Sequence, residues 1–336
     1  MTVPDPMLAP SIRWGILGAG GIARRFAREI PLYTSSTVVA VGSRQLDRAE
    51  GFVRELYGDG APTRAYGSYA ELVARPDIDA IYVASPHSEH HDHAILALEA
   101  GKPVLVEKAF TLNRAQAEDV FAVARRQGLF AMEAMWARQL PHYDALRQVI
   151  AGGELGEVQA IVGLHTQSLN LDPAWRMMNP ALGGGALLDL GVYPLSLFHY
   201  LLGVPRTIRA AGILTASGVD LRETVICGWG DVQAVAYNDM AAPGRSTVQV
   251  MCAGGRIELP DPFYAPQNLI VTPLGGQPQT RATAVEGGFQ YEAAEVARCL
   301  AAGRTESEVM TWQDSIEVMA MMDEVRRQLG VHYGVD

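Results

Sequence analysis

The sequence is poor in cysteine and lacks any tract of positive charge. Its three cysteines, Cys227, Cys252 and Cys299, lie far apart without the paired spacing of a disulfide framework or a zinc cluster. We therefore expect reduced, mostly buried thiols. The net charge is -10 and no basic tract occurs, which makes nucleic acid and anionic membrane poor partners. A small molecule is the default expectation for a ligand.

Targeting signals, long apolar runs and internal repeats are also absent from the sequence. The start, MTVPDPMLAPSIRW, has neither the basic flank nor the apolar stretch of a signal peptide, and no apolar run approaches the length that spans a bilayer. We predict a cytoplasmic protein. The chain has 336 residues, of which 49% are hydrophobic and 19% charged, a composition that suits two globular domains.

Short apolar runs alternate with helical patterns over about the first 135 residues. The predicted strands are 12–17, 37–42, 80–84, 103–106 and 129–132. Helices are predicted between them, over 47–57, 68–74 and 88–100 and after a cap at Thr111 or Asn113, and the first helix is expected to end near Glu29. This alternation predicts a doubly wound parallel sheet, and we assign residues 1–135 to a dinucleotide-binding Rossmann domain.

The pattern changes after Trp136. A helix over 141–150 and a strand over 158–168 precede a glycine run with its helix, and strands at 224–229, 232–237, 247–252 and 256–259 then follow without helices between them. Such short connections predict a largely antiparallel sheet. Helices near 289–302 and 311–328 end the chain. We assign residues 136–336 to an α+β domain for substrate binding and oligomerisation, because too few helices remain to cover both sheet faces; a homodimer or homotetramer is expected.

A glycine-rich motif follows the first predicted strand and opens the first helix. Its residues are Gly18, Gly20, Gly21, Ile22 and Ala23, with Ala19 between the first two glycines. The first glycine makes the turn, the second admits a pyrophosphate, and the small alanine lets the helix pack on the strand. The motif is weak alone, but its place in the first βαβ unit predicts a nicotinamide dinucleotide site.

The end of the second strand indicates which nicotinamide cofactor binds. An NAD site would place Asp or Glu there, whereas this chain has Ser43 and Arg44. Arg44 can pair with a 2′-phosphate and Ser43 can donate to it, which favours NADP. The alternative is that Arg44 is a solvated loop charge.

The glycine run Gly183-Gly-Gly precedes a helix that carries Asp189 and Tyr193. Their spacing of four places both on one helical face. Glycines let the backbone approach another molecule, and a helix start offers unpaired N–H groups, so we expect a ligand-facing site. The alternatives are a linker and a tyrosine buried in the core. Lys108 follows a strand end, where it would favour a tyrosinate or bind a substrate oxygen.

Motifs along nearly the whole chain resemble the glucose–fructose oxidoreductase/inositol dehydrogenase family of nicotinamide-dependent enzymes. They are GAGGIA, ASPHSEHHDHAILALEAGKPVLVEKA, EAMWAR, GGGALLDLGVYP and GGRIELP. Many members carry Glu-Lys-Pro where this chain has Glu107-Lys108-Ala109, and Asp-x-x-x-His where it has Asp189 and Tyr193. The tyrosine form, with Trp136, is similar to the trans-dihydrodiol dehydrogenase and NADP-dependent D-xylose 1-dehydrogenase branch.

That resemblance implies roles for individual residues. Tyr193 would be the general acid/base, Lys108 its assistant and Asp189 the residue that positions the pair, while Trp136 would line the substrate pocket. It also implies a Rossmann domain joined to an α/β domain with a large open sheet. The resemblance further implies that a loop and the start of a helix contact the cofactor. The residues expected to do so are Ser85, Pro86, His87, His90 and Glu107. We expect no metal there, although histidines and acids cluster at 87–93.

Arg176, before the glycine run, could meet a substrate or cofactor oxygen or form a structural ion pair. We expect an NADP-dependent oxidoreductase that moves hydride between the nicotinamide and a C–OH or C=O carbon of a sugar-like or cyclic diol substrate. Two alternatives stay open: an anhydroketose or ketosugar reductase using the same residues, and a nonenzymatic NADP-binding regulator.

Overall fold

Two sheets organise the chain, in a computed structural model that describes residues 3–335. The first sheet is entirely parallel and has the order β3-β2-β1-β4-β5-β6. Its strands are β1 Arg13–Leu17, β2 Thr37–Gly42, β3 Arg64–Tyr66, β4 Ala80–Val83, β5 Val104–Glu107 and β6 Ala131–Ala134. The predicted doubly wound sheet is confirmed. The short β3 was not predicted, because three half-exposed residues show no apolar pattern.

Helices cover both faces of this sheet. They are α1 Gly21–Tyr33, α2 Leu46–Tyr57, α3 Tyr69–Val73, α4 His90–Glu99 and α5 Arg114–Gln127. Asn113 caps α5 by accepting a hydrogen bond from the Gln116 amide. The expected end of α1 near Glu29 was wrong: the helix continues through Pro31 and stops at Thr34, whose hydroxyl and amide both donate to the Ile30 carbonyl.

The second sheet has eight strands in the order β14-β13-β12-β11-β7-β10-β9-β8. They are β7 Val158–Thr166, β8 Thr207–Leu214, β9 Asp220–Gly228, β10 Gln233–Asp239, β11 Thr247–Cys252, β12 Gly255–Leu259, β13 Leu269–Pro273 and β14 Gln279–Arg281. Neighbouring strands run antiparallel except β7 and β10, which pair in parallel. The large, mostly antiparallel sheet is therefore confirmed.

Four further helices join the two sheets: α6 Pro141–Ala151, α7 Val192–Leu202, α8 Phe289–Ala301 and α9 Trp312–Leu329. Helix α7 lies on the inner face of the second sheet, where a Cβ on Gly163 would lie 3.3 Å from Pro194. The C-terminal helices pack back on the first sheet, since Trp312 Nε1 donates to the Ala131 carbonyl at 2.9 Å. The division at 135/136 stays a prediction.

One contiguous cluster of buried apolar side chains spans both sheets. The three cysteines are buried in it without disulfide bonds, as expected for reduced thiols. The segment Pro180–Leu202 corrects one expectation, because its length and mean hydropathy of 1.4 are enough for a membrane span. That segment is 83% buried inside the fold, and a core helix between sheets has the same apolar composition.

The outer face of the second sheet carries apolar side chains that are open to solvent. Val162 and Leu164 on β7 are 38% and 37% exposed, and Ile226 on β9 is 41% exposed. Side chains alternate across a strand, so the inner-facing neighbours of these residues are buried against α7. The sheet therefore has one covered face and one face that exposes several apolar side chains in the single chain.

Candidate active site

Asp189 lies on a π-helical turn, Leu187–Gly191, which leads directly into α7. The continuous α-helix predicted from the spacing of Asp189 and Tyr193 was therefore wrong at its first turn. Turns of this kind are rare and frequently occur at functional sites. The turn changes the direction in which Asp189 leaves the backbone, while Tyr193 belongs to the regular α7.

The glycine run approaches other parts of the same chain, which corrects the expectation that it approaches a ligand. A Cβ on Gly184 would clash with the Met177 carbonyl, and one on Gly185, at φ +116°, would clash with a carboxylate oxygen of Asp220. The first free amide of the turn is also used internally, because Leu187 N–H donates to Asp220 Oδ2 at 2.5 Å. The glycines therefore allow the π-helical turn to pack closely against the second sheet.

Lys108, Asp189 and Tyr193 come together at the carboxyl end of β5. Lys108 Nζ donates to the Asp189 carbonyl oxygen at 2.8 Å and lies 3.5 Å from the Asp189 carboxylate oxygen Oδ1. The same ammonium lies 4.8 Å from the centre of the Tyr193 ring. The structure thus brings together the three residues proposed for catalysis, with the lysine against the face of the tyrosine ring.

The Tyr193 hydroxyl has a fixed hydrogen-bond polarity. Trp136 Nε1–H can only donate, and it donates to the Tyr193 oxygen at 2.9 Å. The proton of the tyrosine is then available to another acceptor. Burial raises the pKa of Tyr193 well above its usual value, so the phenol is held protonated. This corrects the expectation that Lys108 favours a tyrosinate.

Asp189 is held ionised by two cations. Burial alone would raise its pKa, but Lys108 and Arg176 outweigh burial and hold the pKa of Asp189 well below its usual value. Arg176 Nη2 lies 3.4 Å from Asp189 Oδ1, so the ion pair that the sequence left open is present. The Arg176 side chain is nonetheless 42% exposed, and it can still meet a ligand.

The glycine-rich loop fits a dinucleotide. Gly18 has φ +115° and packs so tightly against the Ala84 carbonyl that only glycine suits the position. A Cβ on Gly20 or Gly21 would instead meet no atom within 4 Å, which leaves open space in front of the start of α1. Ala23 is fully buried, as the helix–strand packing requires. The loop, together with Ile22, can receive a pyrophosphate.

Ser43 and Arg44 follow β2 at the same edge of the sheet. Arg44 is exposed, whereas Ser43 is buried and its oxygen accepts the Gln45 amide proton at 3.4 Å. The Ser43 hydroxyl proton therefore stays available for donation. A guanidinium and a hydroxyl at this strand end fit a 2′-phosphate better than a free ribose hydroxyl.

Two buried histidines connect the strand ends to the glycine run. His87 Nδ1 lies 2.9 Å from the Gly183 carbonyl oxygen and Nε2 lies 3.2 Å from that of Lys108. His90 Nε2 lies 2.9 Å from the Ser85 carbonyl oxygen. Burial lowers the pKa of His87 to about 4 and that of His90 to about 3. His87 therefore lies in the protein interior rather than in a solvated loop, while contacts of these histidines, Ser85 and Pro86 with a cofactor stay predictions.

The remaining members of the histidine-rich segment contact other side chains. His91 bridges Asp92 at 2.7 Å and Asp119 at 2.9 Å, and His93 Nδ1 lies 2.9 Å from the Ser85 hydroxyl. Within residues 3–335 no group of three or more histidine, cysteine or acidic side chains is arranged to hold a metal ion.

Glu107 and Ala109 flank the candidate lysine. Glu107 is buried and accepts hydrogen bonds from the Lys108 amide at 3.1 Å and from the Tyr82 hydroxyl. Burial raises the pKa of Glu107. The peptide bond between Lys108 and Ala109 is cis. Glu107 therefore stabilises the end of β5 through these hydrogen bonds. Its predicted contact with the cofactor is untested.

An aromatic and polar wall beside Tyr193 was not predicted from the sequence. The Tyr264 ring centre lies 4.7 Å from that of Tyr193, and the His165 ring centre lies 5.4 Å from it. Gln167 Nε2 lies 3.0 Å from both His165 Nε2 and the Tyr264 hydroxyl. The only local signal for these residues was a histidine at an inward-facing position of a strand, since Tyr264 follows β12 in a loop without a motif.

Two buried carboxyls of the second sheet were also missed. Asp220 and Glu223 lie on β9 beneath the π-helical turn, where a Cβ on Gly191 would lie 2.8 Å from Glu223 Oε1. Burial raises the pKa of Asp220 to about 6 and that of Glu223 well above its usual value, and Asp220 contributes to the shift at Glu223. Acidic residues at inward positions of an amphipathic strand were the available signal.

Comparison with known proteins matches both parts of the chain to family models. Residues 12–135 match the model of an oxidoreductase family with an NAD-binding Rossmann fold, and residues 143–258 match the GFO/IDH/MocA C-terminal domain. The first match covers the whole first sheet, and the second covers β7 to β11 and most of β12 of the second sheet.

Characterised relatives cover nearly the whole chain. It is 38% identical to the D-xylose 1-dehydrogenase (NADP(+)) of Hypocrea jecorina, over 96% of this chain and 93% of the relative. It is 36% identical to the trans-1,2-dihydrobenzene-1,2-diol dehydrogenase of Bos taurus, over 97% of this chain and 99% of the relative. A 3-ketoreductase from Actinomadura kijaniata, solved with NADP and TDP-benzene, superimposes with a TM-score of 0.83 at 26% identity, over 95% of this chain and 98% of that one.

Proposed function

This chain belongs to the GFO/IDH/MocA oxidoreductase family, and from that premise we propose that it moves hydride between NADP and a carbon bearing a hydroxyl or carbonyl group on a sugar-like or cyclic diol substrate. The observation that carries the proposal is the meeting of Lys108, Asp189 and Tyr193 at the strand edge that also presents the glycine-rich loop. The relatives support the same class of reaction, and they do not favour the ketosugar-reductase or regulator alternatives.

Tyr193 handles the proton in this proposal. Because Trp136 already donates to its oxygen, the phenol directs its own proton to the substrate oxygen during reduction and becomes a tyrosinate. In the reverse oxidation, a tyrosinate at this position takes the proton of the substrate hydroxyl and returns to the phenol. Lys108 holds the Asp189 backbone and lies against the Tyr193 ring, which fixes the tyrosine relative to the strand end. When NADP is bound, its nicotinamide supplies the hydride donor or acceptor.

NADP rather than NAD is the cofactor in this proposal, supported by the exposed Arg44 and the hydroxyl of Ser43 at the end of β2. A charge-assisted contact is worth roughly 1.5–3 kcal/mol, or about ten- to a hundredfold in affinity. Titration of both cofactors onto wild type and Arg44→Ala tests this. NADP affinity should fall by that factor in the variant while NAD affinity stays unchanged; equal affinities in the wild type would refute the preference.

The substrate class is tested by a turnover screen. Purified protein is assayed for NADP-linked oxidation of aldopentoses, aldohexoses and trans-cyclohexane-1,2-diol, and for the reverse reduction of the products. Measurable kcat/KM with at least one of these compounds, lost in Tyr193→Phe, is expected. Tight NADP binding without turnover of any compound in either direction would contradict the proposed function.

The apolar side chains exposed on the outer face of the second sheet support a homodimer or homotetramer. Val162, Leu164 and Ile226 would be buried against a second copy of the same face. Light scattering at micromolar concentration should give a mass at least twice the 36.3 kDa of one chain. A mass of one chain would refute the assembly. Cytoplasmic location and the absence of nucleic acid and membrane partners stay predictions from the sequence.

A further inference from the structure

Tyr264 forms a wall of the crevice next to the proposed proton donor. Its ring centre lies 4.7 Å from the Tyr193 ring and 6.5 Å from the Trp136 ring, and the residue is only partly buried. It follows β12, so it comes from a part of the chain far from the catalytic motifs. A molecule that reaches the Tyr193 hydroxyl must therefore lie beside Tyr264.

A hydrogen-bond chain fixes which groups donate along this wall. His165 is fully buried, and its Nδ1 lies 2.9 Å from the carbonyl oxygen of Leu190, which can only accept. The proton of the ring is therefore on Nδ1. Burial lowers the pKa of His165 to about 4, so the ring is neutral near pH 7 and Nε2 carries a lone pair.

The next links follow from this tautomer. The group 3.0 Å from His165 Nε2 must be a donor, which identifies it as the amide nitrogen of Gln167. The second proton of the same amide is directed to the Tyr264 oxygen, also at 3.0 Å. Tyr264 thus accepts from Gln167, and its own hydroxyl proton is left to donate into the crevice.

We propose that Tyr264 determines specificity by donating a hydrogen bond to a substrate hydroxyl other than the reacting one. The proposal rests on the proposed function and narrows it to polyhydroxylated sugar rings. Tyr193, Tyr264 and the half-exposed Arg176 are three separate donor groups, so a substrate with three or more hydroxyl groups can offer each of them its own oxygen. The partly exposed ring of Tyr264 can pack against the C–H groups of such a sugar ring.

The test combines enzyme and substrate changes. Wild type and Tyr264→Phe are assayed with the aldose of highest kcat/KM, with its monodeoxy analogues, and with trans-cyclohexane-1,2-diol. Tyr264→Phe should lower kcat/KM for the aldose about three- to tenfold, mostly through a higher KM. For one deoxy analogue, the wild type should show the same three- to tenfold lower kcat/KM relative to the parent aldose. Tyr264→Phe should not lower kcat/KM for that analogue any further. The cyclohexanediol should be affected less than about twofold.

Gln167→Glu tests the polarity of the chain. A carboxylate only accepts, so it would take the Tyr264 proton away from the substrate and reproduce the loss of Tyr264→Phe. In the Tyr264→Phe background it should cost nothing more, which separates the lost donor from the added charge. Tyr200→Phe on α7 is the matched control for a lost phenol hydroxyl.

The outcomes separate the two proposals. An equal loss for the aldose and the cyclohexanediol, or an equal loss for every deoxy analogue, would mean that Tyr264 only supports Tyr193 and would overturn the inference. Turnover of the cyclohexanediol but of no aldose would overturn it as well, while leaving the proposed function intact. Turnover of neither class would contradict the proposed function itself.

Discussion

The π-helical turn Leu187–Gly191 separates the partly buried carboxyl of Asp189 from two fully buried carboxyls that behave in the opposite way. On the crevice side, Lys108 and Arg176 hold the pKa of Asp189 well below its usual value. On the sheet side, the neighbour of Glu223 is another carboxyl, Asp220, and burial raises the pKa of both. Burial acts in the same direction on all three groups. The presence of a cation therefore decides whether the pKa of a carboxyl at this turn is lowered or raised.

The difference assigns separate tasks to the two sides. An ionised Asp189 fixes Lys108 beside Tyr193, so changes there should affect the chemical step. Asp220 accepts the Leu187 amide and packs against Gly185, so the sheet side holds the turn in its π-helical form. Changes on the sheet side should affect stability and its dependence on pH more than catalysis.

The largest effect is expected for Tyr193→Phe on the crevice side. Loss of a general acid/base typically lowers turnover by about 10² to 10⁴. NADPH affinity should stay within about twofold, because the ring and its packing on Lys108 remain. Steady-state kinetics and NADPH fluorescence titration measure the two quantities, with Tyr200→Phe as control. A folded variant with the wild-type rate of chemistry would show that Tyr193 is not the proton donor.

Asp189→Asn should have a smaller effect, on stability as well as rate. It leaves Lys108 and Arg176 without their shared anion, at a cost of about 1–3 kcal/mol in unfolding free energy. Because the folded-state pKa of Asp189 is lowered, its contribution is complete above the unfolded pKa of about 4 and is lost only at more acidic pH. The stability difference measured by urea unfolding should therefore be constant from pH 5 to 8. A difference that varies over this range would contradict the assigned ionisation.

Glu223→Gln should have the opposite pH signature and the smallest effect on turnover. The folded-state pKa of Glu223 is raised, so its stabilising contribution is complete below the unfolded pKa and is lost as pH rises toward the folded value. Glutamine does not ionise. The variant should match the wild type near pH 5 and become more stable than it as pH rises, by at most about 1.4 kcal/mol per pH unit while the folded Glu223 keeps its proton. The exposed Glu157→Gln is the matched control. If the free energies of unfolding of Glu223→Gln and wild type differed by a constant amount from pH 5 to 8, Glu223 would be ionised in the folded protein throughout that range.

Much of the fold was predictable because it depends on local patterns. The buried runs of β1, β2 and β4 and the cap at Asn113 are each determined by neighbouring residues, and their predicted positions hold within a residue or two. The two sheets were predictable in type because connection length separates parallel from antiparallel pairing. The third strand was missed because pairing with β2, rather than its own composition, makes it a strand.

The candidate site was predictable only in part. Lys108 was placed at the cofactor edge because strand ends of a parallel sheet share one edge, and the family resemblance paired it with Tyr193. The π-helical turn was not, because it depends on Asp220 accepting the Leu187 amide from a strand 33 residues away. The wall formed by His165, Gln167 and Tyr264 was missed for the same reason, since only the folded sheet brings these residues beside Tyr193.

Lys108 and Tyr193 are proposed to act as one proton-transfer unit. A double-mutant cycle on the rate of hydride transfer tests this coupling most directly. Single-turnover rates are measured for wild type, Tyr193→Phe, Lys108→Met and the double variant, with cofactor and substrate saturating. Coupled residues are not additive, so the double variant should be no more than about threefold slower than Tyr193→Phe. A double variant whose loss equals the product of the two single losses would show independent action and contradict the claim.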